Sequence, residues 1–170
     1  EDVEVPLERR QDPWGKATPD LNVGRDPERT PMQWDASENA GFSPPGVETW
    51  LPVAKNYQEV NVAAQQRDPT STLNFYKILL KLRREMPALH RGDITFVEEV
   101  PIDTMAYVRS TEAQRVLVII NFEGNEHTLD LSSLNHSGKV LLSSQFTQSG
   151  EIGLSELFLN PHESLLIHLT

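Results

Sequence analysis

The 170-residue chain contains no cysteine, which excludes disulfides, thiolate metal ligands and a cysteine nucleophile. No stretch approaches the roughly 18 apolar residues that a bilayer-spanning helix needs, and no amino-terminal signal segment is visible. Basic residues are few: 15 Lys and Arg stand against 25 Asp and Glu, a formal net charge of −10. A surface this acidic repels phosphate backbones and anionic lipid, so neither nucleic acid nor membrane is an expected partner. The imbalance is uneven, with 11 basic and 14 acidic side chains in residues 1–90 but 4 and 11 in residues 91–170. Residues 92–170 also lack tryptophan, holding only Phe96, Tyr107, Phe122, Phe146 and Phe158 as large aromatics. That argues against a carbohydrate-binding module there. The five histidines (90, 127, 136, 162 and 168) show no metal-ligand spacing, and there is no glycine-rich phosphate loop or local nucleophile signature. No metal and no cofactor is expected.

What is present changes texture along the chain. Pro6, Pro13, Pro19, Pro27, Pro31, Pro44, Pro45 and Pro52 interrupt every would-be helix in residues 1–68, so this stretch reads as a long irregular arm, with at most a short helix at 3–10. Residues 69–86 predict a helix: Phe75, Leu79, Leu82 and Met86 recur at helical spacing, Leu73, Tyr76 and Leu80 widen the face, and Pro87 stops it. Asp68-Pro69 or Ser71 can cap its start. From Arg91 onward, strands are predicted at 94–99, 104–109, 115–122, 127–131, 139–145, 156–159 and 163–169. The run Arg115 to Phe122 is nearly all apolar and suits a central strand buried on both faces, and Glu123-Gly124-Asn125 reads as a hairpin turn. Short strands at about ten-residue spacing suggest an antiparallel β-sandwich. The expected division is 1–90 and 91–170.

The densest chemistry lies in Gly24-Arg25-Asp26-Pro27-Glu28-Arg29-Thr30-Pro31-Met32-Gln33-Trp34-Asp35, followed by Asn39-Ala40-Gly41-Phe42-Ser43. Each proline fixes its own φ and pushes the preceding residue toward an extended shape, so two arginines, three acids and a tryptophan ride on a stiff, irregular path. Guanidinium forks on such loops suit a sugar or an anion. A salt-bridge cluster is the competing structural reading. Asp26 and Asp35 are expected to cap turns or pair with Arg25 and Arg29. Trp34 and Trp50 are expected to pack inward, and Trp14 to be more exposed.

These words resemble a hallmark of the α-amylase-type glycoside hydrolases, closest to the α-glucosidase and oligo-1,6-glucosidase branch. The resemblance continues through Gln11-Asp12-Pro13-Trp14-Gly15, Thr49-Trp50-Leu51-Pro52-Val53, Tyr57, Asn61-Val62, Gln65 and Leu82-Arg83, covering residues 1 to about 90 with specific motifs. It implies a mixed fold: the carboxy-terminal remnant of a (β/α)8 barrel, as irregular loops plus the last helix, followed by the β domain. The catalytic carboxylates of that family sit on strands four, five and seven, so they are expected upstream of Glu1, as is the calcium site known in some relatives. Retaining hydrolysis needs two carboxyl groups about 5–5.5 Å apart, and nothing in this sequence pairs any two; no catalytic residue is assigned within the chain.

For the parent enzyme, the resemblance implies that Arg25 reaches the terminal glucose site and pairs with an aspartate from early in the barrel. Asp26 and Trp14 are the weaker substrate-binding candidates, with Trp14 lining the entrance. The implied partners are an α-linked gluco-oligosaccharide and the upstream barrel. Two alternatives share parts of the motif: a trehalose synthase-type glucosyl transferase, whose motif departs after the first arginine, and a non-catalytic transporter heavy-chain ectodomain. The arm is also expected to be disordered alone, and to expose apolar surface unless docked on a barrel or another chain.

Overall fold

The structure, a computed structural model, describes residues 3–21 and 23–170. The chain divides into two compact units, Glu1–Asn74 and Phe75–Thr170, the division falling inside the long helix rather than near residue 90.

Unit 1 contains no β-strand among its described residues. It is a series of loops with two short helices, α1 (Pro13–Ala17) and α2 (Val62–Arg67), and the start of α3 (Thr72–Glu85). The helix considered at residues 3–10 shrinks to one 3₁₀ turn, Leu7–Arg9. Hydrogen bonds substitute for an apolar core here. Arg10 is the clearest case: only 6% exposed, its guanidinium donates to the carbonyls of Val5, Gly15 and Leu21, each at 2.9 Å, and of Pro19 at 3.4 Å. Four acceptors satisfy a buried cation without a carboxylate. The arm thus carries an ordered network of its own. Trp34 and Trp50 depart from expectation, each 50% exposed. Trp50 Nε1 still donates to the Arg9 carbonyl at 2.9 Å; with no strand among its described residues, unit 1 offers no sheet face for an indole to pack on.

Ser71, not Asp68, caps α3: its Oγ accepts from Asn74 N at 3.2 Å, while Asp68 holds the preceding turn through Thr70 N. Helix α3 ends at Glu85, Met86 turns extended, and Pro87 opens α4 (Pro87–Arg91). In unit 2, Leu82, Met86, Ala88 and Leu89 pack on Val116, Leu141 and Leu166. Tyr76 and Leu80, expected on the buried face, are 56% and 61% exposed.

Eight strands follow: β1 (Asp93–Phe96), β2 (Thr104–Thr111), β3 (Gln114–Asn121), β4 (His127–Leu129), β5 (Ser137–Ser143), β6 (Gly150–Gly153), β7 (Leu157–Leu159) and β8 (Ser164–Leu169). Six form one antiparallel sheet in the order β1-β2-β3-β8-β5-β6, and β4 pairs with β7 in a second. Between them lie Ala106, Val108, Leu117, Ile119, Leu129, Leu157, Leu159, Leu165 and Ile167. β3 is buried on both faces as its apolar run predicts, Leu117 and Ile119 facing this core while Val116 faces the helices. The tight hairpin is at Glu112-Ala113, where Thr111 pairs with Gln114. Glu123-Gly124-Asn125 instead carries the chain from one sheet to the other. Buried Asn121 shapes this crossing, donating to the carbonyls of Asn125 (2.6 Å) and Asn160 (2.9 Å) and accepting from Glu123 N (3.1 Å). β6, bounded by glycines, has no apolar alternation to announce it.

Candidate functional site

Of the three residues singled out for substrate contact, Trp14 and Asp26 are tied together through Asp12, and Arg25 is the chain neighbour of Asp26. Asp12 caps α1, accepting from Trp14 N at 2.9 Å and Gly15 N at 3.3 Å, with Pro13 at the first helical position where its missing N–H costs nothing. Asp26 in turn holds the segment before α1: its Oδ2 accepts from Gln11 N at 2.6 Å and Asp12 N at 2.9 Å. Its Oδ1 has no hydrogen bond and lies 3.6 Å from Arg29 Nη1. Asp26 is 1% exposed, while the Arg25 side chain is exposed and its guanidinium has no partner among the described residues. Trp14 is 69% exposed.

The hydrogen bond from Gly15 N is the main reason the Asp12 carboxyl is held below the usual range. Desolvation opposes it, and the amides of Trp14 and Arg25 and the charge of Arg29 add to it. Both carboxylates are therefore engaged by backbone N–H groups, and neither is placed as a nucleophile or a proton donor. No group of three or more His, Asp or Glu able to hold a metal is found among the described residues.

The second half of the motif is a turn built on itself. Asn39, Ala40 and Gly41 all take left-handed backbone angles, with φ of 55°, 55° and 67°. The carbonyl of Ala40, a residue fully buried, accepts from Trp34 N (2.8 Å) and Asp35 N (3.2 Å). Asp35 Oδ1 accepts from Ser37 N at 2.8 Å, and its bonds to the Ser37 hydroxyl and amide hold that carboxyl below its ordinary value. A methyl group at Gly41 would stand 2.8 Å from the Asp35 carboxylate. Asn39 Nδ2 reaches the Val47 carbonyl at 2.8 Å.

Gln33 and Trp34 then dock the next element, their carbonyls receiving Val62 N (2.9 Å) and Ala63 N (3.0 Å) of α2. Asn61 caps that helix through Ala64 N and ties back to the Tyr57 carbonyl, both at 2.8 Å. Gln65 Oε1 receives Leu73 N at 2.9 Å. Sequence reasoning missed Arg10 and the part played by Asp12. The Asp-Pro pair was a readable cap signal for Asp12; nothing local marked Arg10.

Comparison with known proteins places these words. The family described as "Alpha amylase, catalytic domain" matches residues 7–92, about half of the chain, and the "Alpha-amylase SusG C-terminal domain" matches residues 104–166. An alpha-glucosidase of Schizosaccharomyces pombe is 34% identical over 85% of this chain and 25% of its own length. An oligo-1,6-glucosidase of Parageobacillus thermoglucosidasius is 36% identical over 83% and 25%. The crystal structure of trehalulose synthase MutB from Pseudomonas mesoacidophila superposes with a TM-score of 0.75 at 32% identity, covering 91% of this chain and 28% of that one. The chain spans about a quarter of the length of the curated relatives it matches. The motif of residues 24–43, the barrel-type match before residue 92 and the β-sandwich after it agree: the chain belongs to the alpha-amylase family.

Proposed function

We propose that this chain is the carboxy-terminal part of a retaining α-glucosidase that releases glucose from the non-reducing end of α-linked oligosaccharides. The observation that carries the reading is the contrast between adjacent residues. Asp26 is buried with its Oδ2 held by two backbone amides, while Arg25 stands exposed on the same loop with a guanidinium that has no partner among the described residues. A fixed backbone presenting a free fork of donors suits a sugar hydroxyl, or a carboxylate supplied from upstream barrel sequence. Trp14 offers an exposed aromatic face beside it, and Asp26 acts through the loop it fastens. The catalytic carboxylate pair belongs to the upstream barrel, and the 170-residue chain by itself is inactive. Relatives named alpha-glucosidase, oligo-1,6-glucosidase and maltase support the hydrolytic reading.

A second reading, glucosyl transfer instead of release to water, is favoured by structural neighbours named trehalulose synthase and isomaltulose synthase. One experiment separates them. The protein extended through its barrel is incubated with maltose, isomaltose and sucrose, and free glucose is measured beside isomerised products. Glucose release from the long protein and none from the 170-residue chain is expected. Arg25→Ala in the long protein is expected to lower kcat/KM by about 10- to 100-fold, the loss of a charged hydrogen bond. Unchanged turnover in that variant would remove Arg25 from the substrate site, and predominant isomerisation would select the transferase.

A further inference from the structure

We infer that Asp26 is a positioning residue for Arg25: its carboxylate clamps the loop that carries Arg25 onto residues 11 and 12, and does not itself meet the substrate. What Arg25 does rests on the functional reading above; the clamp does not. Asp26 stands at the start of the 3₁₀ turn Pro27–Arg29, a place from which an aspartate ordinarily bonds amides of its own turn. Its side chain makes no such bond. Only its backbone carbonyl serves the turn, accepting from Arg29 N at 3.0 Å. Oδ2 reaches 15 and 14 residues back instead, to Gln11 N at 2.6 Å and Asp12 N at 2.9 Å. Oδ1 is buried without a hydrogen bond, 3.6 Å from Arg29 Nη1, so the two distant amides supply all the hydrogen bonds of this carboxylate. At 1% exposure Asp26 offers no surface to a sugar, and an indirect role suits it better than direct contact.

The anchor is well braced. Gln11 and Asp12 follow Arg10, whose guanidinium is held by the carbonyls of Val5, Gly15 and Leu21, and Asp12 itself caps α1. Arg25 is then fixed from both sides. Before it, Gly24 takes a φ of +97°, which side chains other than hydrogen rarely tolerate, and a methyl group there would stand 3.0 Å from Asp12 Oδ1. After it come the clamped Asp26 and the buried Pro27, whose ring fixes its own φ. The Arg25 side chain alone is left exposed. An arginine side chain is long and flexible, so its reach into a sugar site depends on where its backbone is anchored. A misplacement on the order of 1 Å can cost about 100-fold in rate. Local stability of the turn would be served by a carboxylate that caps it; directing the carboxylate to a distant segment sets where the Arg25 loop lies.

Two measurements test this. In the 170-residue chain, amide hydrogen exchange at Gln11 and Asp12 is compared among the parent sequence, Asp26→Ala and Asp26→Asn, which keeps an acceptor oxygen. Faster exchange at both amides in Asp26→Ala, with substantial recovery in Asp26→Asn, is expected. Unchanged protection in Asp26→Ala would overturn the clamp. Equal acceleration across α2 would mean that Asp26 supports the whole unit and not this loop, and would overturn it too. In the barrel-containing protein, Asp26→Ala is combined with Arg25→Ala in a double-mutant cycle on maltose. Asp26→Ala alone is expected to lower kcat/KM about tenfold, with recovery in Asp26→Asn, and to cost no more than about twofold once Arg25 is already alanine. Equal costs in both backgrounds would sink the positioning role. No glucosidase turnover in the unmutated protein would defeat the functional reading alone, and the exchange experiment would still decide the clamp.

Discussion

Glu163 illustrates how much one side chain can organise. It is fully buried at the entrance to β8. One carboxylate oxygen accepts from Ser143 Oγ and Thr147 Oγ1, each at 2.6 Å. The other accepts from Gln148 Nε2 at 3.0 Å, Asn160 N at 3.0 Å and Asn160 Nδ2 at 2.7 Å. Burial pushes its pKa up, but the bonds from Ser143, Thr147 and Asn160 together outweigh that and hold it below the ordinary value. With the folded value depressed, the stabilisation is fully present above the unfolded pKa of about 4.3 and is lost as pH falls through the folded value. Glu163→Gln places an amide donor among donors and is expected to cost about 3 kcal/mol at neutral pH. Urea unfolding from pH 7 to pH 3 should show that difference shrinking below about pH 4.3. A difference independent of pH would refute the ionised cage. No sequence signal marked this residue, because Asn160 is its only near partner and Ser143, Thr147 and Gln148 lie 15 to 20 positions earlier in the chain.

Among the elements, those with a strong local pattern were legible in advance. β3 announced itself through five consecutive apolar residues, α3 through helical spacing, and its end through Pro87. Elements defined by pairing rather than pattern were not. The two-residue turn at Glu112-Ala113 carries no glycine, asparagine or proline, and the more turn-like Glu123-Gly124-Asn125 proved to be a crossing pinned by Asn121. Helix α2 has no buried residue and depends on its first turn: Asn61, 4% exposed, supplies the cap and a tether to the Tyr57 carbonyl. Asn61→Ala is expected to destabilise that segment by about 1 kcal/mol. The check is faster amide exchange across residues 62–67, with residues 114–121 unaffected. Equal acceleration in both regions would instead indicate global unfolding.

At the scale of the whole molecule, the two units rest on different physics. Unit 2 encloses an apolar core between two sheets, whereas unit 1 is held mainly by side chains bonded to backbone. Trp14, Met32, Trp34, Phe42, Trp50 and Val60 of unit 1 are each about half exposed or more. Residues 75–170 expressed alone are therefore expected to unfold in urea as a single cooperative transition, since burying apolar area is the main driving force of folding. Residues 1–74 alone should show little cooperativity. A broad, non-cooperative transition for 75–170 would mean that its core needs the arm.

The sequence by itself determined the family words, the stiff path of the arm, the long helix and most strands, because hydrophobic period, proline and cap residues act within a few positions. Trp14, Arg25 and Asp26 were legible as residue types. The tie of Trp14 to Asp26 through Asp12 was decided only by the tertiary structure, as were the four-carbonyl cradle of Arg10, the cage of Glu163 and the exposure of Trp34 and Trp50. Each depends on where distant loops bring their donors and acceptors, and hydrogen-bond geometry, unlike hydrophobic periodicity, leaves no spacing in the chain.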